Sequence, residues 1–147
     1  MFSHILFPTD GSELSDKVAP RVMELARVHG GRVTAISVVQ PFPFMTLSGD
    51  SGIVAPDAEV FEGQMERAAR DNVNKVAAAA SAAGVPFEGV VALSPSPYQE
   101  IVAAAEKHGC DAIVMASHGR KGLNKLFLGS ETQKVLAHTE LPVLVLR

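Results

Sequence analysis

The sequence predicts an α/β fold in which a parallel sheet is covered by helices on both faces, a three-layer α/β/α arrangement. Three observations predict it. Five short runs are nearly continuous in Ile, Val, Leu and Phe rather than alternating, the pattern of strands buried on both faces. Segments of helical period lie between them. Strand and helix alternate four times before a fifth strand closes the order, which is the signature of βαβ units. At 147 residues the chain is most simply one domain, 1–147, long enough for a full hydrophobic core.

The first run is His4–Pro8, followed by a helix over Ser15–His29 with Val18, Val22, Leu25 and Ala26 on one stripe. The second run is Arg32–Val39. The segment after it, PFPFMTLSGDSGIVAPD over 41–57, exceeds the usual loop length. Its Pro and Gly content argues against a hidden helix, and it reads equally as a lid or partner surface and as a plain insertion. A long helix over Ala58–Ala83 lines up Phe61, Met65, Ala69, Val73, Val76 and Ala80, and stops at Gly84. The third strand is Pro86–Ala92, and the third helix, Pro97–His108, carries Ile101, Ala104 and Ala105. Ala112–Ala116 is the fourth strand, Glu131–His138 with Val135 and Leu136 the fourth helix, and Val143–Leu146 the last strand.

Composition narrows the function classes. Apolar residues are 47% and charged residues 20%, as in a compact globular chain. A net charge of −3 gives no global attraction to nucleic acid or an anionic membrane. Tryptophan is absent and aromatics are few, so base-stacking platforms are not expected. The single cysteine, Cys110, excludes an intrachain disulfide and a cysteine-rich zinc site, and its place before an apolar run reads as a buried small hydrophobe. No window approaches eighteen apolar residues, and the opening MFSHILFPTD lacks a secretory pattern, so a cytoplasmic address with no membrane contact is expected.

Ligands of open parallel sheets bind beyond the carboxyl ends of the strands. That rule selects Pro8–Ser12, Val38–Gln40, Leu93–Pro97 and Met115–Gly119. In HGRKGLNKLFLGSETQ, a small-residue corner at Ser117-His118-Gly119 and a second at Gly129-Ser130 flank the cations Arg120, Lys121 and Lys125. Ser130 before Glu131-Thr132-Gln133 resembles a capping box and marks a helix start. A helix N-terminus offers unpaired N–H groups and partial positive charge, which favour phosphate; an ordinary loop and cap reads equally well from this segment alone. In FPTDGSELS, after the first strand, Asp10 could accept hydrogen bonds from a base or ribose, whereas Asp10 and Ser12 also suit capping of the first helix.

ILFPTDGSELS, AISVV, EIVAAAEKHGCDAIVMASHG and LGSETQKVLAHTELPVLVLR together resemble the universal stress protein family, in its nucleotide-binding branch, nearly end to end. The family's signature is Gly, two residues, Gly, nine residues, then Gly followed by Ser or Thr. Here Ala116 replaces the first glycine, while Gly119, Gly129 and Ser130 keep the spacing. The resemblance implies a Rossmann-like, adenine nucleotide alpha hydrolase-like sheet in the order 3-2-1-4-5 with ATP across its carboxyl ends. By position, Pro8, Thr9, Asp10 and Val38 would line adenine and ribose. Met115, Ala116, His118 and Gly119 would follow ribose and phosphates, and Gly129, Ser130, Glu131 and Thr132 would hold phosphate. ATP with Mg or Mn is the expected ligand, AMP or ADP being alternatives, and a homodimer through the Pro142–Leu146 strand is implied, with a protein partner of unknown kind.

Glycine at position 116 could serve positive φ or close approach. Alanine would cost about 1 kcal/mol in the first case and a methyl's worth of space in the second. There is no Walker A lysine pattern, no G-x-S-x-G elbow and no HExxH, so a binding and signalling module is favoured over an efficient enzyme. A slow ATPase or autophosphorylating protein, with Ser117, Ser130 or Thr132 as acceptor, and a nucleotide-free interaction module are the alternatives. His118 could touch phosphate or be structural, and Tyr98 is placed at the crevice rim.

Overall fold

The computed structural model describes residues 1–41, 58–118 and 128–147. Its elements are β1 (His4–Pro8), α1 (Glu13–Val28), β2 (Arg32–Val39), α2 (Ala58–Ala83), β3 (Phe87–Leu93), α3 (Pro97–Lys107), β4 (Ala112–Ala116), α4 (Ser130–His138) and β5 (Val143–Leu146). All strands pair in parallel, in the order β3-β2-β1-β4-β5. The segment 42–57 and Gly119 with the cations Arg120, Lys121 and Lys125 lie outside the described residues.

Connectivity dictates the layers. The chain steps from β1 to β2 to β3 in one direction, then crosses back to β4 and β5. Right-handed crossovers therefore put α1 and α2 on one face and α3 and α4 on the other. The core divides accordingly. Ile5, Phe7, Val33 and Val114 meet Val18, Val22, Met23 and Ala26 of α1 and Val76 and Ala80 of α2. Leu6, Ile36, Ile113 and Met115 meet Ile101, Ala104 and Ala105 of α3 and Val135 of α4. Adjacent β1 residues thus enter opposite cores, which is why the strands are apolar throughout.

Several boundaries differ from the sequence expectation, each for a local reason. Helix α1 starts at Glu13, not Ser15, because the Ser12 side chain accepts from the Ser15 N–H at 3.2 Å and so caps it. Strand β3 starts after Pro86, which has no N–H to donate and contributes its carbonyl to Val33. Helix α4 starts at Ser130, with Gly129 as N-cap. The capping box expected of Ser130 does not form; the Gln133 amide instead donates to the Leu128 carbonyl at 2.7 Å. The apolar stripe of α2 is buried from Ala69 onward, but Phe61 is half-buried and Met65 is 37% exposed, because the first turns of this helix extend past the sheet core.

At the amino end of the sheet, His4 is only 7% exposed. One ring nitrogen meets Thr34 Oγ1 at 2.8 Å, and Nδ1 has no hydrogen-bond partner. Burial, aided by the charge of Arg32, lowers its pKa from the ordinary 6.5. Partial burial alone would raise the neighbouring Asp111 carboxyl. Hydrogen bonds from Ser3 Oγ and the N–H groups of Ser3 and His4 outweigh it and hold that carboxyl below its usual range. Cys110 is buried, as the sequence indicates, and burial pushes its thiol up to about 11, an inert group near neutral pH.

Candidate functional site

The strand order reverses between β1 and β4. The chain leaves β1 toward α1 on one face and leaves β4 toward α4 on the other, so a crevice opens between the two strand ends. Pro8, Thr9 and Asp10 stand at the end of β1, on its β1 wall. Met115, Ala116 and His118 stand at the end of β4, on its β4 wall, with the side chains of Met115 and Ala116 in the cores, and Gly129 to Thr132 make the start of α4. Val38 is the last but one residue of β2 beside β1, half-buried against the α3 and α4 core. Gly119 lies outside the described residues.

The β1 wall is held by its own hydrogen bonds. The N–H of Thr9 continues the ladder to Ile36 at 2.8 Å. Its buried hydroxyl accepts from Ser15 Oγ at 2.9 Å and from the Gly11 N–H at 3.3 Å. Asp10 Oδ1 accepts from the Ser12 N–H at 3.0 Å, an Asx turn that swings the chain into α1. Both capping and positioning are therefore served here: Ser12 caps the helix, and Asp10 shapes the turn before it. Gly11 sits at φ +68°, where any other residue would be strained.

The β4 wall brings the two small-residue corners of the motif together. The Gly129 N–H donates to the Ser117 carbonyl at 2.7 Å, which joins the two corners directly. A Cβ at Gly129 would lie 3.2 Å from His118 Cα and 3.4 Å from the Ser117 carbonyl oxygen, so glycine permits this close approach. Ser117 is 3% exposed, its N–H bound to Leu146 and its hydroxyl 3.1 Å from His118 Nδ1. Thr132 is buried, and its hydroxyl donates to the Ala116 carbonyl at 3.2 Å, which pins the first turn of α4 to the end of β4.

Ala116 needs no glycine conformation. It is a regular strand residue paired with Leu146, and among the described residues Phe2 is the non-glycine residue with positive φ. Its methyl group packs against the α1 and α2 core. Of the two reasons for glycine at this position, the conformational one is removed.

Two residues take roles the sequence alone did not suggest. Glu131 Oε2 accepts from the Tyr98 N–H at 3.0 Å, so this carboxylate serves the start of α3, where Ser96 makes no side-chain cap, and its Oε1 meets Lys134 at 2.9 Å. Tyr98 turns its ring toward α4, 4.8 Å from the His138 ring with Lys134 Nζ 5.6 Å from its centre. The ring thus packs between α3 and α4. Both contacts join elements 33 or more residues apart, for which no local sequence pattern exists.

The helix starts flanking the crevice differ in how they are capped. Ser12 answers α1 and Glu131 answers α3, whereas α4, with Gly129 as its N-cap, has no side-chain cap among the described residues. The N–H groups of Ser130, Glu131 and Thr132 lie in the first helical turn and have no intrahelical acceptor. They stand at the mouth of the crevice with the positive end of the helix dipole. Among the described residues no group of three or more His, Cys, Asp or Glu side chains comes together to hold a metal ion.

Known proteins share this architecture. The family model for the universal stress protein family matches residues 1–147. A universal stress protein from Thermus aquaticus is 34% identical over the full length of both chains. The solved structure of the hypothetical protein MJ0577, from Methanocaldococcus jannaschii, superposes with a TM-score of 0.79 at 26% identity, covering 99% of this chain and 96% of that one. Two universal stress proteins solved in complex with cAMP and with dAMP, at 18% and 19% identity, share the fold with TM-scores of 0.71 and 0.66. They cover 99% and 97% of this chain, and 97% and 96% of their own. The chain belongs to the universal stress protein family.

Proposed function

We propose that this protein binds an adenine nucleotide, ATP first among them, in the crevice between β1 and β4, and acts as a stress-response binding and signalling module. The observation that carries the reading is the start of α4, which no side chain among the described residues caps and which the Gly129 to Ser117 hydrogen bond holds beside the end of β4. Phosphate would be held by the N–H groups of Ser130, Glu131 and Thr132 with the Ser130 hydroxyl. Base and ribose would lie along Pro8, Thr9, Asp10 and Val38, and along Met115, Ala116, His118 and Gly119. Relatives of the same fold solved with cAMP and dAMP support an adenine nucleotide as ligand class. A Mg or Mn ion accompanying ATP would be held chiefly by the phosphates. The same reading takes residues 1–147 as one domain, places it in the cytoplasm and pairs two copies through the outer edge of β5, where Pro142–Leu146 ends the sheet.

One observation favours a second reading, slow self-phosphorylation. The Ser117 hydroxyl meets a histidine nitrogen, whereas that of Thr132 is committed to the Ala116 carbonyl. Melting curves of the purified protein with ATP, ADP, AMP and no nucleotide test the main reading. A saturable rise in Tm supports it, and no rise with any of the three refutes it. Intact mass after incubation with ATP separates the second, which requires a gain of one phosphoryl group on Ser117.

A further inference from the structure

Asn72 is a polar residue on the otherwise apolar inner stripe of α2, between Ala69 and Val76, and is only 8% exposed. Its amide fills the space beside Gly11: a Cβ at Gly11 would run into Asn72 Oδ1 and Cγ. The next residue, Val73, does the same at Gly89 of β3, where its Cγ1 occupies the place of a side chain. Two consecutive residues of α2 therefore key into two glycines, one on the sheet and one on the β1–α1 loop. The notch at Gly89 sets the height and rotation of α2, and Lys75 ties the same helix to Asp16 in the first turn of α1 at 3.1 Å. Gly11 lies between Asp10 and Ser12, so whatever fixes Gly11 also fixes the Asp10 turn.

We propose that Asn72 is a positioning residue for the nucleotide crevice, holding the β1–α1 loop from behind through Gly11 while itself touching no ligand. The inference rests on the nucleotide reading above and extends it to a helix that supplies none of the residues named there for the nucleotide. The loop keeps its turn through its own hydrogen bonds, but its place relative to β4 is set by α2. Nucleotide affinity is thereby coupled to the seating of α2 on β3.

The test is a double-mutant cycle over Gly11→Ala and Asn72→Ala, read by melting temperature and by ATP affinity in calorimetry. Asn72→Ala is expected to weaken ATP binding roughly three- to tenfold. Gly11→Ala alone loses more Tm and more affinity than it does in the Asn72→Ala background, where its methyl group enters the vacated space. The φ strain is common to both backgrounds and cancels. Additive Tm losses overturn the contact, and unchanged ATP affinity in Asn72→Ala overturns the positioning role. If wild type binds no ATP, the nucleotide reading fails with the positioning role, while the Tm coupling still decides the contact. Should Asn72→Ala not fold, Asn72→Ser repeats the cycle with the same expected signs.

Discussion

The two loops that flank the crevice are built on opposite plans. The β1–α1 corner is knit by local bonds: Thr9, Asp10, Gly11, Ser12 and Ser15 exchange four hydrogen bonds, and Ser12 caps its own helix. The β4–α4 corner uses its contacts to bring chain to chain, with Gly129 to Ser117 and Thr132 to Ala116, and makes no side-chain cap at its helix start. A corner that caps itself supplies shape and a rigid wall. A corner whose first-turn N–H groups have no acceptor among the described residues keeps its electrostatics for something else. The difference teaches that glycine at position 129 does two things at once: it admits the close approach to His118, and it brings no side chain of its own to cap α4.

The sharpest way to break this contrast is Gly129→Val. The added carbons meet the Ser117–His118 backbone, so the corners are forced apart. Overpacking of this kind costs about 1–3 kcal/mol, and ATP-dependent stabilisation should disappear, as read by melting with and without nucleotide. The locally bonded corner should respond in the other manner. Ser12→Ala removes the α1 cap at a cost of about 1 kcal/mol, a fall in Tm of roughly 2–4 °C, with a smaller change in ATP affinity. Equal loss of affinity in both variants would erase the distinction between the corners.

Away from the crevice, His4 sets a pH dependence. Its folded pKa is lowered, so the unfolded chain binds the proton more readily. The stability it contributes is fully present above 6.5 and is lost as pH falls below 6.5 toward the folded value. The slope in that window is at most about 1.4 kcal/mol per pH unit for one proton. His4→Asn should flatten denaturation midpoints over the same range, and an unchanged slope would remove His4 as the cause. Asp111 acts in a lower window: its depressed pKa contributes stability above the ordinary 3.8, lost as pH falls through the folded value. The smallest expected effect is that of Ala116→Gly. With no positive φ to relieve and a methyl group withdrawn from the core, Tm should drop slightly and ATP affinity stay unchanged within twofold, about 0.4 kcal/mol.

Much of this architecture is readable from local pattern. Leu6 and Phe7 enter opposite cores, and that double burial is what makes His4–Pro8 a continuous apolar run. Ala58–Ala83 is recognisable because its stripe runs the length of the helix, although Phe61 and Met65 at its start lie past the core that the period implies. What local pattern could not supply is the pairing of distant elements. Glu131 reads by position as part of the phosphate-holding start of its own helix, yet its carboxylate caps α3. Asn72 leaves a trace, an amide on an apolar stripe, but its target is a glycine some sixty residues earlier in the chain. The question of Ala116 was likewise one of φ, which no residue count can answer.

The central claim is that the open start of α4 holds phosphate. Titration of ATP by calorimetry into wild type and Ser130→Asp, side by side, tests it most directly. Aspartate in the first turn suits the helix dipole, so the variant should melt close to wild type without nucleotide, within about 0.5 kcal/mol. Its carboxylate would occupy and repel the phosphate position. The account predicts saturable binding by wild type and at least tenfold weaker binding by Ser130→Asp. Equal affinity in the two proteins would contradict it.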